Sequence, residues 1–131
     1  MVIAEKHARR PVVMIVDDDE DTCAILFGFL QREFQVLTVQ SAQECLQNLK
    51  REPVDLVLLD LLMPEFDGLA ALREIRTDPA VAKTPVIVLT AWDDAGALAE
   101  AKRLGVKECL IKPVFRRRLL RSVRIHLQTR G

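Results

Sequence analysis

The 131-residue chain lacks an excess of charge of either sign, because 19 lysines and arginines balance 19 aspartates and glutamates. No overall field therefore draws it to nucleic acid, to a membrane surface or to an acidic substrate. Cysteine is also scarce. The three cysteines, Cys23, Cys45 and Cys109, are odd in number and lack the close pairs of zinc sites, so they predict reduced thiols rather than a disulfide framework.

Long apolar runs are absent as well. No run approaches the ~20 residues needed to span a bilayer, and the first ten residues are too polar for a secretory signal. We therefore expect a cytoplasmic protein without a membrane partner. Half of the residues are hydrophobic, which predicts one compact domain over residues 11–131, preceded by a loose extension over residues 1–10.

Five short apolar runs rich in β-branched residues predict strands. The first, third and fourth are apolar almost throughout, as in central strands of a parallel sheet, whereas the second and fifth are mixed and are expected nearer the edges. The runs are Val12–Val16, Gln35–Val39, Val54–Leu59, Val86–Leu89 and Val106–Ile111.

Segments with helical spacing lie between these runs and after the last of them. The predicted apolar stripes are Cys23, Phe27, Leu30 and Phe34; Leu69, Leu72 and Ile75; Ala97, Ala101 and Leu104; and Leu120, Val123 and Leu127. Local signals agree, since Ser41 and Glu44 form a capping box and Gly105 follows the fourth helix. This alternation predicts right-handed βαβ crossovers and a three-layer α/β fold.

Polar residues stand at the carboxyl ends of four predicted strands: Asp17 and Asp18, Asp60, Thr90, and Lys112. Ligands of open α/β sheets bind outside that edge, so these side chains are expected to share one pocket. Clustered carboxylates need a counter-charge, and Mg²⁺ prefers such oxygen ligands together with phosphate oxygens. An aspartate can itself attack phosphorus, with the hydroxyl and the ammonium binding the phosphoryl oxygens.

Four motifs in this order resemble the receiver domain of bacterial two-component response regulators, from about Pro11 to about Gln128. They are Val16-Asp17-Asp18-Asp19-Glu20, the stretch from Asp55 to Gly68 that contains Asp60-Leu61-Leu62-Met63-Pro64, the pair Thr90-Ala91, and the pair Lys112-Pro113. The resemblance implies a doubly wound five-stranded parallel sheet in order 2-1-3-4-5 with five flanking helices, the flavodoxin-like or CheY-like fold.

The resemblance also implies roles for individual residues. Asp60 is expected to be phosphorylated by a histidine kinase or phosphotransfer protein. Mg²⁺ would be held by Asp18, Asp60 and the Leu62 carbonyl, with Asp17 acting through water. Thr90 and Lys112 would contact the phosphoryl group, and Thr90 would switch the face formed by helix 4, strand 5 and helix 5. Pro64, Gly68, Ala91 and Pro113 belong to the surrounding loops, and the Lys112-Pro113 bond is expected to be cis.

The chain departs from the family pattern at three places. Cys109 stands where receivers usually carry an aromatic switch residue, and the chain has no tyrosine. Leu62 and Trp92, two residues beyond the acceptor and the threonine, are large and apolar, and we hypothesise that they shield the acyl phosphate from water. Val114 replaces a common phenylalanine.

Some residues have simpler interpretations. Asp19, Glu20 and Asp21 suit the first turn of a helix, Asp67-Gly68 suits a turn or cap, and Met63 and Pro64 shape the loop. His7 and His126 lie away from the site and are not expected to donate phosphoryl groups. Arg116, Arg117 and Arg121 predict a solvated or partner-binding face, for a homodimer, an effector or an output domain, in preference to direct nucleic-acid binding.

Three alternatives remain open from the sequence. A haloacid-dehalogenase-like phosphatase would need an aspartate two residues after its nucleophile, where this chain has Leu62. A phosphorylation-independent pseudo-receiver would not need the complete set of site residues. A direct nucleic-acid binder would rest on the terminal arginines alone. We therefore expect a signalling module rather than a turnover enzyme.

Overall fold

The computed structural model describes residues 10–63, 66–91 and 95–128. The five strands of its main sheet are β1 (Val12–Val16), β2 (Gln35–Val39), β3 (Leu56–Asp60), β4 (Val86–Thr90) and β5 (Glu108–Ile111). The helices are α1 (Glu20–Leu30), α2 (Ala42–Arg51), α3 (Gly68–Thr77), α4 (Ala95–Arg103) and α5 (Arg116–Gln128). A short antiparallel pair, Leu62–Met63 with Phe66–Asp67, lies between β3 and α3.

The main sheet is parallel throughout and has the order β2-β1-β3-β4-β5, which confirms the predicted topology. The residues of β3 and β4 are all buried, whereas β2 and β5 are partly exposed at the two edges. The strand bounds differ slightly from the prediction. β3 starts at Leu56 and includes Asp60, and β5 starts at Glu108.

Alternate residues of the strands point to opposite faces and build two cores. Met14 and Val16 lie in the core covered by α2, α3 and α4, whereas Val13 and Ile15 lie in the core covered by α1 and α5. Because all strands of the main sheet are parallel, their carboxyl ends lie at one common edge of the sheet. None of the described helices is long and apolar enough to cross a bilayer.

The helix ends follow the capping signals in the sequence. The Ser41 hydroxyl accepts a hydrogen bond from the Glu44 backbone N–H at 3.2 Å, which is the N-cap half of the predicted capping box, and donates to the Glu44 carboxylate at 3.3 Å. Gly105 has φ +76°, in the left-handed region that favours glycine just after a helix.

The predicted stripe of α1 was wrong at one position. Phe27 is 40% exposed, and Leu26 is buried instead, between Cys23 and Leu30. The spacing from Cys23 to Leu26 to Leu30 fits one helix face as well as the predicted spacing does, so periodicity alone could not choose between them. Phe34 is buried, but it lies beyond the end of the helix.

Arg76 joins three parts of the chain on the α3–α4 side. It is half-buried, and burial lowers the pKa of its guanidinium. Its guanidinium donates hydrogen bonds to backbone carbonyls at the end of α4 and in the loop before β4: Leu104 (2.7 Å), Gly105 (3.3 Å), Ala82 (3.1 Å) and Thr84 (2.7 Å). These bonds satisfy carbonyls that end helices and turns, and the sequence contained no signal for them.

Candidate functional site

The predicted site residues lie together at the carboxyl edge of the sheet. Asp60 ends the central strand β3 and Thr90 ends its neighbour β4, whereas Asp17 and Lys112 directly follow β1 and β5. Backbone hydrogen bonds extend the sheet pairing past two of these strand ends. The Lys112 N–H donates to the Thr90 carbonyl at 2.9 Å, and the Asp17 N–H donates to the Val39 carbonyl at 3.1 Å.

Three carboxylates form an acidic cluster. Carboxylate oxygens of Asp17, Asp18 and Asp60 all lie within 4.8 Å of one another. Asp17 and Asp60 are buried, with 1% and 5% exposure, whereas Asp18 faces solvent. Two carboxylates about 4 Å apart repel each other by roughly 4 kcal/mol at an effective dielectric of 20, so this arrangement requires nearby positive charge.

Lys112 supplies part of that charge. Its ammonium donates to Asp17 Oδ2 at 2.8 Å and to Asp60 Oδ2 at 3.2 Å. Burial alone would lower the pKa of Lys112, but the hydrogen bond to Asp17 and the negative charge of Asp60 outweigh it, so the pKa is raised. Lys112 is therefore cationic and joins two carboxylates that are far apart in the sequence.

The Thr90 hydroxyl is buried and has no hydrogen-bond partner among the residues that the structure describes. Leaving a buried hydroxyl without a partner costs about 1–3 kcal/mol. A polar ligand bound at this edge would offset that cost. The donor set therefore fits an oxyanion together with a hard dication: carboxylates for the metal, and a hydroxyl and an ammonium for the anion.

Asp19 has a different role from its acidic neighbours Asp17 and Asp18. Its carboxylate accepts from the Thr22 N–H at 3.2 Å and the Thr22 hydroxyl at 2.5 Å, and these contacts lower the pKa of Asp19. Asp19 thus caps α1, as the simpler interpretation predicted. Its own N–H donates to Asp17 Oδ1 at 3.0 Å, which ties the start of the helix to the acidic cluster.

Gly68 lies closer to the site than its predicted turn role indicated. A Cβ atom at this position would stand 2.4 Å from the Asp60 carbonyl oxygen and 2.6 Å from the Leu61 Cα. The Gly68 N–H also donates to the Leu61 carbonyl at 3.1 Å. Asp67 caps α3 by accepting from the Leu69 N–H at 2.9 Å. The first residue of α3 therefore packs directly on the backbone of the acidic strand end.

The remaining predicted loop and switch residues have mixed outcomes. The Lys112-Pro113 peptide is cis, as expected, and Ala91 is exposed directly after Thr90. Cys109 is half-buried on β5, and burial raises the pKa of its thiol. Leu62 lies in the short antiparallel pair.

Several predictions fall outside the described residues. Pro64, Trp92 and His7 lie there, so the shielding hypothesis for Leu62 and Trp92 stays a prediction.

The predicted features of α5 are present. Leu120 and Val123 are buried, Leu127 is half-buried, and Arg116, Arg117 and Arg121 are exposed. His126 lies near the end of α5 and contacts Glu108 at 3.0 Å.

Glu108 contacts three side chains of α5, and the sequence contained no signal for these contacts. Its carboxylate accepts from the Ser122 hydroxyl at 2.6 Å, pairs with Arg118, and lies 3.0 Å from His126 Nε2. Burial alone would raise the pKa of Glu108, but these hydrogen bonds and the charge of Arg118 lower it to about 2. The cluster joins the edge strand β5 to α5.

Comparisons with known proteins identify the family. The profile of the response regulator receiver domain matches residues 13–124, so the chain belongs to the response regulator receiver domain family. Its fold, five parallel strands in order 2-1-3-4-5 with five helices, is the fold of that family. The chain is thus a signalling domain.

The chain is similar to one much longer protein and to two chains of about its own length. It is 36% identical over 104 residues to the transcriptional regulatory protein ZraR of Escherichia coli K12, covering 78% of this chain and 23% of ZraR. It is 37% identical over 112 residues to an uncharacterized 14.6 kDa protein of Leptolyngbya boryana, covering 85% and 86%. A sensor protein from Polaromonas sp. JS666 shares its structure with a TM-score of 0.85 at 27% identity, covering 93% of this chain and 99% of that one. The chain thus spans about a quarter of the length of ZraR.

Proposed function

We propose that the chain is a phosphorylation-controlled switch in which Asp60 accepts a phosphoryl group from a phosphohistidine of a cognate histidine kinase or phosphotransfer protein. The observation that carries this proposal is the Lys112 ammonium lying between the buried carboxylates of Asp17 and Asp60. In the transfer an Asp60 carboxylate oxygen forms the new bond to phosphorus as the bond from phosphorus to the histidine nitrogen breaks. The leaving nitrogen keeps the electron pair, and the product is an aspartyl phosphate.

The remaining site residues support that step. Lys112 is already within 3.2 Å of Asp60 and would bind a phosphoryl oxygen, while the Thr90 hydroxyl would donate to another. Asp18, Asp60 and the Leu62 carbonyl would hold Mg²⁺, with Asp17 acting through a bound water. When bound, Mg²⁺ would neutralise charge on the transferring phosphoryl oxygens.

The output of the switch would be a change in the face formed by α4, β5 and α5. Engagement of Thr90 by the phosphoryl group would move the chain that follows it toward the site, and α4 lies directly beyond. Cys109 stands on β5 in place of the usual aromatic residue, so Thr90 would carry the movement without it. A downstream effector, an output domain or a second copy would bind this face.

We further propose that the domain comprises residues 11–131, acts in the cytoplasm, and catalyses no turnover beyond its own phosphorylation and dephosphorylation. A haloacid-dehalogenase-like phosphatase is less favoured because Leu62 occupies the place of the required second aspartate. The complete set of Asp17, Asp18, Asp60, Thr90 and Lys112 likewise argues against a pseudo-receiver. Neither nucleic acid nor a membrane is proposed as a direct partner.

Incubation with Mg²⁺ and acetyl phosphate, followed by intact mass spectrometry, tests phosphoryl acceptance. One phosphoryl adduct is expected on the wild type and on Asp21→Asn, a control that alters an exposed carboxylate outside the acidic cluster. The adduct should be lost in Asp60→Ala. An undiminished adduct on Asp60→Ala would refute the assignment, as would no adduct on the wild type with either acetyl phosphate or candidate kinases.

The lifetime of the adduct tests the shielding proposal. If Leu62 and Trp92 exclude water from the acyl phosphate, replacing both by polar residues, as in Leu62→Asn with Trp92→Glu, should speed phosphoryl loss. The decay of the intact-mass adduct after removal of acetyl phosphate measures that rate. An unchanged rate in the double variant would show that the two side chains do not shield the site.

A further inference from the structure

The sequence of α4 divides this helix into two unlike halves. Residues 95–99 are alanine, glycine, alanine, leucine and alanine, and none of their side chains has a polar group, whereas residues 100–103 include three charged side chains. Ala97 is buried and Leu98 is half-buried. Small side chains bury little apolar area, and glycine is a weak helix former. The first half of α4 is therefore held in place only by its backbone and by a small apolar contact.

The second half of α4 is held by two side chains of α3. Arg73 donates two hydrogen bonds to Glu100 Oε1, at 2.8 and 3.0 Å. Arg76 lies one helical turn further along α3. It donates to the carbonyls of Leu104 and Gly105, just beyond the end of α4, at 2.7 and 3.3 Å. We call Arg73 and Arg76 the α3 arginine pair.

The two arginines contribute unequally to this attachment. The side chains of Arg73 and Glu100 are 47% and 32% exposed, so water screens their ion pair. Arg76 is half-buried, and it also donates to the Ala82 and Thr84 carbonyls in the loop before β4. A guanidinium is planar and has five donors, so one side chain can bind carbonyls of both segments at once. Arg76 therefore provides most of the restraint on the end of α4.

The helix α3 is itself fixed to the strand that carries Asp60. Its first residue, Gly68, packs against the backbone of Asp60 and Leu61. Its side chains Leu72 and Ile75 are completely buried in the core. The ten residues of α3 span about 15 Å, so this helix links the acidic cluster rigidly to the end of α4. The end of α4 therefore keeps its position relative to Asp60.

We propose that the α3 arginine pair holds the carboxyl-terminal end of α4, so that a rearrangement of this helix pivots about residues 100–105. The first half of α4, which follows Thr90 more closely in the chain, would move while the second half keeps its contacts with α3. The inference rests on the proposed function in one respect, because phosphorylation of Asp60 would cause the rearrangement. It adds the residues that limit the movement, Arg76 above all.

NMR spectroscopy of the full chain tests this inference. In the untreated protein, the Arg76 Nε–H should exchange with water at least about tenfold more slowly than the Nε–H of the exposed Arg32, because Arg76 Nε is hydrogen-bonded to a carbonyl. Treatment with Mg²⁺ and acetyl phosphate should leave the chemical shift of the Arg76 Nε–H unchanged. The same treatment should change the backbone amide shifts of residues 95–99 at least about twice as much as those of residues 100–105.

Two double variants with the same change in net charge provide the matched comparison. Arg73→Met with Arg76→Met removes the arginine pair, so the shift changes on phosphorylation should become as large in residues 100–105 as in the first half of α4. Arg32→Met with Arg51→Met changes two exposed arginines elsewhere and should keep the wild-type pattern. Arg76→Lys keeps the charge but loses the planar fork, so it should resemble the first double variant. Circular dichroism checks folding, and Arg76→Lys with the wild-type measurements decides the test if that double variant does not fold.

Several results would overturn the inference. These are equal shift changes in the two halves of wild-type α4, an Arg76 Nε–H that exchanges as fast as that of Arg32 or shifts on phosphorylation, or the same pattern in both double variants. Intact mass scores the phosphoryl adduct in the same samples. An adduct with equal shift changes overturns this inference alone. The absence of an adduct on the wild type removes the proposed phosphoryl acceptance, and the exchange rate of the Arg76 Nε–H then decides by itself whether the end of α4 is held.

Discussion

Replacing Gly68 by alanine is the sharpest perturbation that the structure offers. The added methyl group would lie 2.4 Å from the Asp60 carbonyl oxygen, and it must retreat by at least about 0.6 Å to reach 3.0 Å, the shortest distance that real Cβ atoms show. The obstructing atoms belong to the backbone of Asp60 and Leu61 rather than to a flexible side chain. Either α3 or the end of β3 must therefore move.

The expected cost follows from the size of this clash. Overpacking of a well-packed interior costs about 1–3 kcal/mol, and a rigid backbone obstacle favours the upper part of that range, so we expect a loss of about 2–3 kcal/mol. That corresponds to a fall in Tm of roughly 6–10 °C for a domain of this size. Because the displaced backbone carries Asp60, the initial rate of labelling by acetyl phosphate should also fall by about tenfold or more.

Two other glycines provide controls in urea unfolding and labelling assays. Gly28 lies in α1 with nothing within 4 Å of an added Cβ, so Gly28→Ala should stabilise the fold by about 0.5–1 kcal/mol and leave labelling unchanged. Gly105→Ala should cost about 1–2 kcal/mol through its positive φ alone, without slowing labelling. If Gly68→Ala were as stable and as readily labelled as Gly28→Ala, the close approach would have no energetic or functional consequence.

Three further predictions follow from charged residues. Because the pKa of Glu108 is lowered from 4.5 to about 2, its ionic contribution is present above about pH 5 and lost as the pH falls toward 2. Urea unfolding should show Glu108→Gln less stable by about 1 kcal/mol at pH 7 after allowance for solvent screening, with a smaller gap at about pH 3; a gap independent of pH would contradict this. Lys112→Met removes the cation from the acidic cluster, so its free energy of unfolding in EDTA should be about 3 kcal/mol lower than that of the wild type. Adding Mg²⁺ should then raise the Tm of the variant more than that of the wild type. An equal rise in Tm would contradict the electrostatic role of Lys112. Arg76→Met should lower the free energy of unfolding by about 3 kcal/mol, because the carbonyls that accept hydrogen bonds from Arg76 would lose their donor. The control Arg32→Met changes an exposed arginine and should leave the free energy of unfolding almost unchanged.

Much of the fold was predictable because its signals are local. The apolar runs predicted which strands are central, and β3 and β4 are indeed buried along their whole length. The capping residue Ser41 and the left-handed Gly105 act within one turn of their own positions, so the sequence also located these helix ends. The sequence could not decide whether Phe27 or Leu26 is buried in α1, because both fit the helical periodicity and only packing against the sheet distinguishes them.

The sequence predicted which residues form the candidate site but not which of their atoms contact one another. The carboxyl ends of parallel strands lie at the same edge of the sheet, so polar residues at those ends must lie near one another. The strand pattern was therefore enough to group Asp17, Asp60, Thr90 and Lys112. Which atoms meet could not be derived in that way. Gly68 carried only a turn signal in the sequence, although its backbone lies against the Asp60 carbonyl.

The sequence by itself determined the strand and helix order, the family resemblance, and which residues stand at the strand ends, because these depend on short-range periodicity and on motif spacing. Only the tertiary structure decided that Lys112 bridges two buried carboxylates, one of them 95 residues away, and that the Thr90 hydroxyl is buried without a partner in the described chain. It also decided the Arg76 carbonyl contacts and the contacts of Glu108 with Ser122, Arg118 and His126. The physical reason is that these features depend on how the crossover helices pack on the sheet, which brings distant residues within a few ångströms of one another.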